Sequence, residues 1–150
     1  MTRLDPLNSA EGRIIKRKMS IVPKLYDLDM QAVVYNANYF KWFDQARFEL
    51  ISEIISIDEI LDTGLTFMIA ENQCTYKNYA SYGDPLLLFT SHRLQSVYQG
   101  RLVFEHSIVH EKKKVEIASG YSSMVVVNQK TKQLVKELPD FIWERYKNLT

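Results

Sequence analysis

The sequence predicts an α+β fold in which one long helix packs on a sheet of roughly five antiparallel strands. Three observations lead there. Apolar residues recur at helical spacing through one central stretch, alternating runs fill much of the remainder, and the links between the last strands are only a few residues long.

Arg13 to Lys24 alternates loosely and carries Ile14, Ile15, Ile21 and Val22, which makes it the first strand. From Asn36 to Ile55, Tyr39, Phe43, Ala46, Leu50 and Ile54 fall three and four apart and share one helical face. Phe40, Trp42 and Phe48 widen that face, so the helix needs cover on several sides, as a sheet wrapped around it would give. The stripe is read as core. A short helix or turn over Ile57 to Thr63, ended by Gly64, precedes four further strands at Thr66 to Tyr76, Leu86 to Tyr98, Arg101 to His110 and Val115 to Val127. Period two places Leu102, Phe104, His106 and Ile108 on one face of the third of these, and Val115, Ile117, Tyr121, Val125 and Val127 on one face of the fourth. The tight links at Tyr98 to Arg101 and Glu111 to Lys114 join neighbours in an antiparallel meander.

A chain of 150 residues is the size of one domain, with residues 1–12, polar and holding Pro6 and Gly12, expected to be flexible. Hydrophobic content of 46% and charged content of 25% are those of a soluble globular protein. A net charge of +1 leaves no electrostatic footprint for nucleic acid. No apolar run reaches the roughly 18 residues of a membrane span, and the first residues lack the apolar centre of a signal peptide. Cys74 is the only cysteine, so no internal disulfide forms, and no Cys/His cluster has metal-ligand spacing. Those features fit a cytoplasmic protein without metal or prosthetic group.

Tyr26 to Arg47 carries the chemistry. Asp29 lies a few residues ahead of a helix start, where unpaired backbone N–H groups and a partial positive charge can hold an oxyanion while the carboxylate attacks or activates water. That pairing suffices to open a thioester, whose thiolate leaves readily near neutral pH. Asp27, on the same face if the segment is extended, is the reserve candidate. An Asp ahead of a helix more commonly turns or caps the chain, and Tyr35 and Tyr39 are more commonly packing residues than pocket walls. Arg47 is read as pairing with Asp44, Glu49 or a strand, His106 as a hydrogen-bonded core histidine, Cys74 as a small buried hydrophobe, and Lys112, Lys113 and Lys114 as a solvated hairpin tip.

Asp29, Val33, Val34, Tyr35, Tyr39, Phe43, Ala46 and Arg47 together resemble the signature of the hotdog-fold acyl-CoA thioesterases of the 4-hydroxybenzoyl-CoA thioesterase and YbgC type. Thr75 to Leu88 is similar to that family's second strand and its approach to the third, and Leu138 to Tyr146 to its closing helix. The resemblance reverses the bland reading of Asp29. It implies a hotdog fold, a long central helix wrapped by the sheet, and hydrolysis of an acyl or aroyl thioester, with Asp29 as base or nucleophile. The chain departs from the family at Gln31 and Ala32, where small residues including glycine are usual, and at Asn36, where one branch has histidine and the other uses only the backbone N–H. Asn36 is accordingly read as the N-cap and its N–H as the oxyanion donor.

Gln31, Val34, Tyr35 and Tyr39 are the expected lining of the substrate pocket, with Arg101 as a contact to coenzyme phosphate. The resemblance further implies a homodimer or homotetramer whose sheets join edge to edge, and Asn72 and Tyr76 are expected to line the neighbour's pocket. Where the hydroxybenzoyl branch has an arginine pair, this chain has Tyr98 and Gln99, which leaves both coenzyme A and an acyl carrier protein open as the thiol carrier. Two alternatives are a non-catalytic hotdog that binds acyl thioesters and a hotdog hydratase or dehydratase. The latter would need a histidine that Tyr26 to Ile55 does not contain.

Overall fold

The computed structural model describes residues 12–149, so the flexibility expected of residues 1–12 falls, apart from Gly12, outside the described residues. One sheet holds β1 (Ile14–Ile21), β2 (Leu65–Tyr76), β3 (Leu86–Arg93), β4 (Arg101–His110) and β5 (Glu116–Asn128). Its order is β1-β3-β4-β5-β2 with every pairing antiparallel. The long helix α1 (Asn38–Ser52) crosses one face, α2 (Ile57–Thr63) leads into β2, and α3 (Asp140–Asn148) closes the chain. This is the α+β hotdog arrangement expected from the sequence. None of the helices is long and apolar enough to cross a membrane among the described residues.

Local chemistry explains the ends of α2. The Ser56 hydroxyl accepts from Glu59 N–H at 3.2 Å and the Glu59 carboxylate accepts from Ser56 N–H at 3.1 Å, a reciprocal cap. At the other end Gly64 takes φ 73°, the left-handed conformation that a side chain resists.

The core has two apolar clusters on the inner face of the sheet. Leu50, Leu94, Phe104, Met124, Trp143 and Tyr146 belong to one, and Tyr39, Phe43, Leu88, Ile108 and Ile117 to the other. A buried polar layer divides them: Arg47 sits between Phe43 and Leu50 on α1, His106 between Phe104 and Ile108 on β4, and Ser122 between Gly120 and Met124 on β5. The Arg47 guanidinium, 1% exposed, donates to Ser122 Oγ at 2.7 Å and to Asp44 Oδ1 at 2.9 Å. Ser122 has one hydroxyl proton, which goes to Asn72 Oδ1 at 3.0 Å. Its 3.3 Å contact with His106 Nε2 therefore needs the proton on that nitrogen, leaving Nδ1 to accept from the Thr90 hydroxyl at 3.1 Å. Neutral His106 is the form these partners satisfy, and it stacks on Phe43 at 4.4 Å. Asp44 and the neighbouring strand are thus the partners of Arg47, as the sequence reading has it.

At Gly120 the Phe43 side chain of α1 lies tight against the sheet. A Cβ there would lie 2.3 Å from Cε2 and 2.6 Å from Cζ of Phe43, and 3.0 Å from the Gln73 carbonyl oxygen. Because the Phe43 ring is fully buried and held against His106, it has little room to yield. Gly120→Ala should therefore cost about 1 to 3 kcal/mol of stability, the usual range for overpacking. Its urea midpoint should fall accordingly, and Phe43→Leu in the same chain should recover part of the loss. An unchanged midpoint would mean that helix and sheet are not in this contact.

Several expectations need correction. β3 ends at Arg93 rather than Tyr98, because Ser96 and Gly100 adopt φ 67° and 77° and turn the chain while Leu94, Val97 and Tyr98 pack into the core. The face assigned to β5 is right at Ile117 and wrong beyond it. A register shift pairs Ile108 with Ala118 and Val109 with Glu116, so Ile117 and Ala118 both point inward and Ser122, Met124 and Val126 follow. The main helix starts at Asn38, with Ala37 at the N-cap position and no side-chain cap, so the capping role read for Asn36 is not present. Asn38, the first helical residue, ties the helix start to the preceding loop instead, its N–H donating to Tyr35 O at 2.9 Å and its Nδ2 to Asp27 O at 2.7 Å.

Candidate active site

The segment between β1 and α1 folds into a tight loop around Asp29. An antiparallel bridge between Leu28 and Val34 closes it. Inside, Asp29 N–H donates to Val33 O at 2.9 Å, Ala32 N–H to Asp29 O at 3.0 Å, and Gln31 N–H to Asp29 Oδ1 at 2.8 Å. Ala32 adopts φ 60° although it carries a Cβ, at a cost of about 1 kcal/mol, so the departure from glycine leaves the turn tight. A second loop buttresses the first: Val34 N–H donates to Ala80 O at 2.8 Å, Ser81 Oγ to Ala32 O at 3.3 Å, and Gly83 N–H to Pro23 O at 3.1 Å.

The two aspartates have different surroundings. Asp27 is buried, its Oδ2 accepts from Lys24 N–H at 2.8 Å, and its carbonyl receives Tyr35 N–H and Asn38 Nδ2. It anchors the chain. Asp29 is exposed, with one carboxylate oxygen held by the turn and Oδ2 without a partner among the described residues.

Asp29 opens onto a groove of about 390 Å³. Val34, Tyr35, Asn36, Tyr39 and Tyr76 line it with Asp29, all named from the sequence, and Val33, Lys77, Asn78 and Tyr79 complete it. Tyr39 is buried at the floor, its phenol pushed up to about 12 chiefly by burial. Tyr39 and Tyr76 meet edge to face at 5.5 Å. The Lys77 ammonium is paired with Glu116, whose carboxyl it holds below the usual range, so Asp29 supplies the groove's unpaired charge. The backbone N–H of Asn36 has no acceptor among the described residues, which leaves it available to a ligand in the groove.

Three other residues named from the sequence lie away from this chain's groove. Gln31 contributes its backbone N–H to the Asp29 turn, and its side chain is outside the groove's lining. Asn72, half-buried on β2, borders the buried polar layer, where it accepts from Ser122. Arg101 begins β4 opposite Val125, whereas the groove lies near Tyr76 and Ala118, level with Ile108; seven residues of strand put Arg101 about 23 Å away. Tyr76, expected to serve a neighbour's pocket, lines the groove of its own chain. Tyr79 was not foreseen, and three tyrosines within Tyr76 to Tyr82 were its only signal. A larger hollow of about 460 Å³ on the outer side of the sheet, lined by Gln73, Ser91, Glu105 and Tyr121 among others, pairs no free carboxylate with an open backbone donor.

A carboxylate anchored through one oxygen, an unpaired N–H across a groove, and aromatic walls make a site with the chemistry to open an activated acyl group. The chain belongs to the Thioesterase-like superfamily, whose model matches residues 23–145. It is 28% identical over 117 residues to a putative esterase of Aquifex aeolicus, covering 77% of this chain and 88% of the relative. Among solved structures it is similar to a DHNA-CoA thioesterase from Staphylococcus aureus, at 22% identity and TM-score 0.76 over 87% of this chain and 88% of that one. It is also similar to a gentisyl-coenzyme A thioesterase, at 26% identity and TM-score 0.70 over 84% of this chain and 98% of that one. The thioesterase resemblance read from the Asp29 segment is borne out at the level of family and fold.

Proposed function

We propose that the protein hydrolyses an acyl or aroyl thioester of coenzyme A in the groove beside Asp29. The observation that carries this reading is a single groove lined by the half-anchored Asp29 carboxylate and by Asn36, whose N–H is unpaired. Asp29 Oδ2 either attacks the thioester carbon, forming an anhydride that water then opens, or takes a proton from a water that attacks. In both routes the carbonyl oxygen gains charge and the Asn36 N–H donates to it, the thiolate leaves, and it takes up a proton. Four tyrosines, Tyr35, Tyr39, Tyr76 and Tyr79, around the groove support a planar aroyl group over a flexible aliphatic one. The named substrates of two structural relatives, DHNA-CoA and gentisyl-coenzyme A, support the same choice.

Assembly as a homodimer or homotetramer is part of the proposal. β2 has β5 on one side and no strand on the other among the described residues, and Met68 and Ile69 on it are exposed, the kind of open edge that a second copy covers.

Thiol release from a panel of benzoyl, hydroxybenzoyl, hexanoyl and palmitoyl thioesters tests the reading. At least one aroyl-CoA should be hydrolysed with a kcat/KM tenfold or more above hexanoyl-CoA, on the order of 1.4 kcal/mol. Cutting the substrate back to an aroyl-pantetheine should cost less than about tenfold, because Tyr98 and Gln99 stand where an arginine pair would hold the nucleotide. A loss of a hundredfold or more would reveal a nucleotide site. Activity confined to carrier-protein thioesters would move the substrate to that carrier, and no thiol release from any thioester would favour a protein that only binds them.

A further inference from the structure

Tyr76 and Asn36 are 40 residues apart in the chain, yet the Tyr76 hydroxyl donates to the Asn36 carbonyl at 3.1 Å. That bond reaches from the last residue of β2 to the turn ahead of α1. On the other side of Asn36, the Tyr35 carbonyl accepts from Asn38 N–H at 2.9 Å and Tyr35 N–H donates to Asp27 O at 2.8 Å. Both peptide groups flanking Asn36 are therefore fixed through their carbonyls, while the Asn36 N–H itself is left unpaired among the described residues. Two of these bonds lie within the loop. The third ties it to the sheet, and the Tyr76 ring is braced for the purpose by its edge-to-face contact with Tyr39, itself buried in the core.

We propose that Tyr76 is a positioning residue: by holding the Asn36 carbonyl its hydroxyl fixes the Asn36–Ala37 peptide and with it the backbone at Asn36, so that the Asn36 N–H, on the adjoining peptide held by Asn38, meets the oxyanion formed from the substrate carbonyl. The inference rests on the reading of Asn36 as the oxyanion donor. A donor that is aimed in advance gains most when charge develops, so misaiming it raises the barrier while leaving ground-state binding nearly as before. Burial, followed by the neighbouring Cys74, shifts the Tyr76 phenol upward, which keeps its proton and its role as donor through the neutral range.

Tyr76→Phe keeps the ring and removes only the hydroxyl. With an aroyl-CoA substrate kcat should fall about tenfold, or ~1.4 kcal/mol, with KM changed less than about twofold, and the amide resonance of Asn36 should move. A merely structural role would lower the melting temperature or raise KM and leave kcat alone. Should Tyr76→Phe not fold, a fluorotyrosine at the same position, which keeps ring and hydroxyl and strengthens the donor, should shift the Asn36 amide and hold or raise kcat; an unmoved amide would overturn the proposal. If Asp29→Asn stops turnover while Tyr76→Phe retains full kcat with an unshifted Asn36 amide, the positioning role is wrong and the thioesterase reading stands. If the wild type releases no thiol from any thioester, both fall together.

Discussion

Asp29→Asn is expected to lower kcat on the best thioester by about a hundredfold or more, the usual worth of a general base or nucleophile, with folding intact. The size follows from what the substitution leaves. Asparagine still offers an oxygen to the Gln31 N–H that holds the turn at 2.8 Å, so the loop keeps its shape, but the free oxygen becomes an amide nitrogen with no lone pair to attack or to take a proton. KM should change little, since the groove walls come from other residues. Asp27→Asn is the control. Its carboxylate is buried against Lys24 N–H, so its loss should appear in stability before rate. A variant pair in which Asp27→Asn stops turnover and Asp29→Asn does not would move the chemistry to the buried carboxylate.

Acid should destabilise the protein through two histidines that the reaction does not use. Burial pushes His92 down to about 4, and burial together with the Arg47 charge pushes His106 down to about 3. Both rings are hydrogen-bonded as neutral groups, His92 through Nδ1–H to Val103 O at 2.8 Å and His106 between Thr90 and Ser122. The folded values lie below the ordinary 6.5 of the unfolded chain. The unfolded state therefore binds protons first, and the stability these groups contribute is complete above about pH 6.5 and lost as pH falls toward 4 and 3. Near pH 4.5 each should have cost roughly 2 to 3 kcal/mol, at about 1.4 kcal/mol per pH unit. Urea midpoints between pH 7 and 4.5 would trace the decline, and the ring-proton resonances of both histidines should keep their neutral positions down to about pH 5. Titration of either ring near 6 to 7 would contradict the buried layer described for His106 or the packing of His92 on Phe104.

The parts of the fold that were legible in the sequence are those in which one period holds over many residues. The apolar stripe of α1 and the alternation of β4 are of that kind, and Gly64 marks the end of α2. Reading failed where a single residue changes phase. The extra residue at Ile117 reverses the inward face of β5, and Leu94, Val97 and Tyr98 extend the apolar run of β3 yet fold into a turn whose apolar side chains still reach the core. The site divides in the same way. Asp29, Val34, Tyr35, Asn36 and Tyr39 lie in one short segment that the family signature marks. The walls supplied by Tyr76 and Tyr79 depend on how β2 passes the turn at Asn36, a pairing that no local pattern encodes. Strand position alone does not reveal that Asn72, half-buried on β2, accepts from the Ser122 hydroxyl beside Arg47.

The crystal structure of the Asp29→Asn variant soaked with an intact aroyl-CoA puts the catalytic groove to the most direct test. The thioester should lie among Tyr35, Tyr39, Tyr76 and Tyr79, with its carbonyl oxygen about 3 Å from the Asn36 nitrogen and its carbonyl carbon facing the side chain at position 29. A thioester bound on the outer face of the sheet, or one in the groove with its carbonyl turned away from Asn36, would contradict the account.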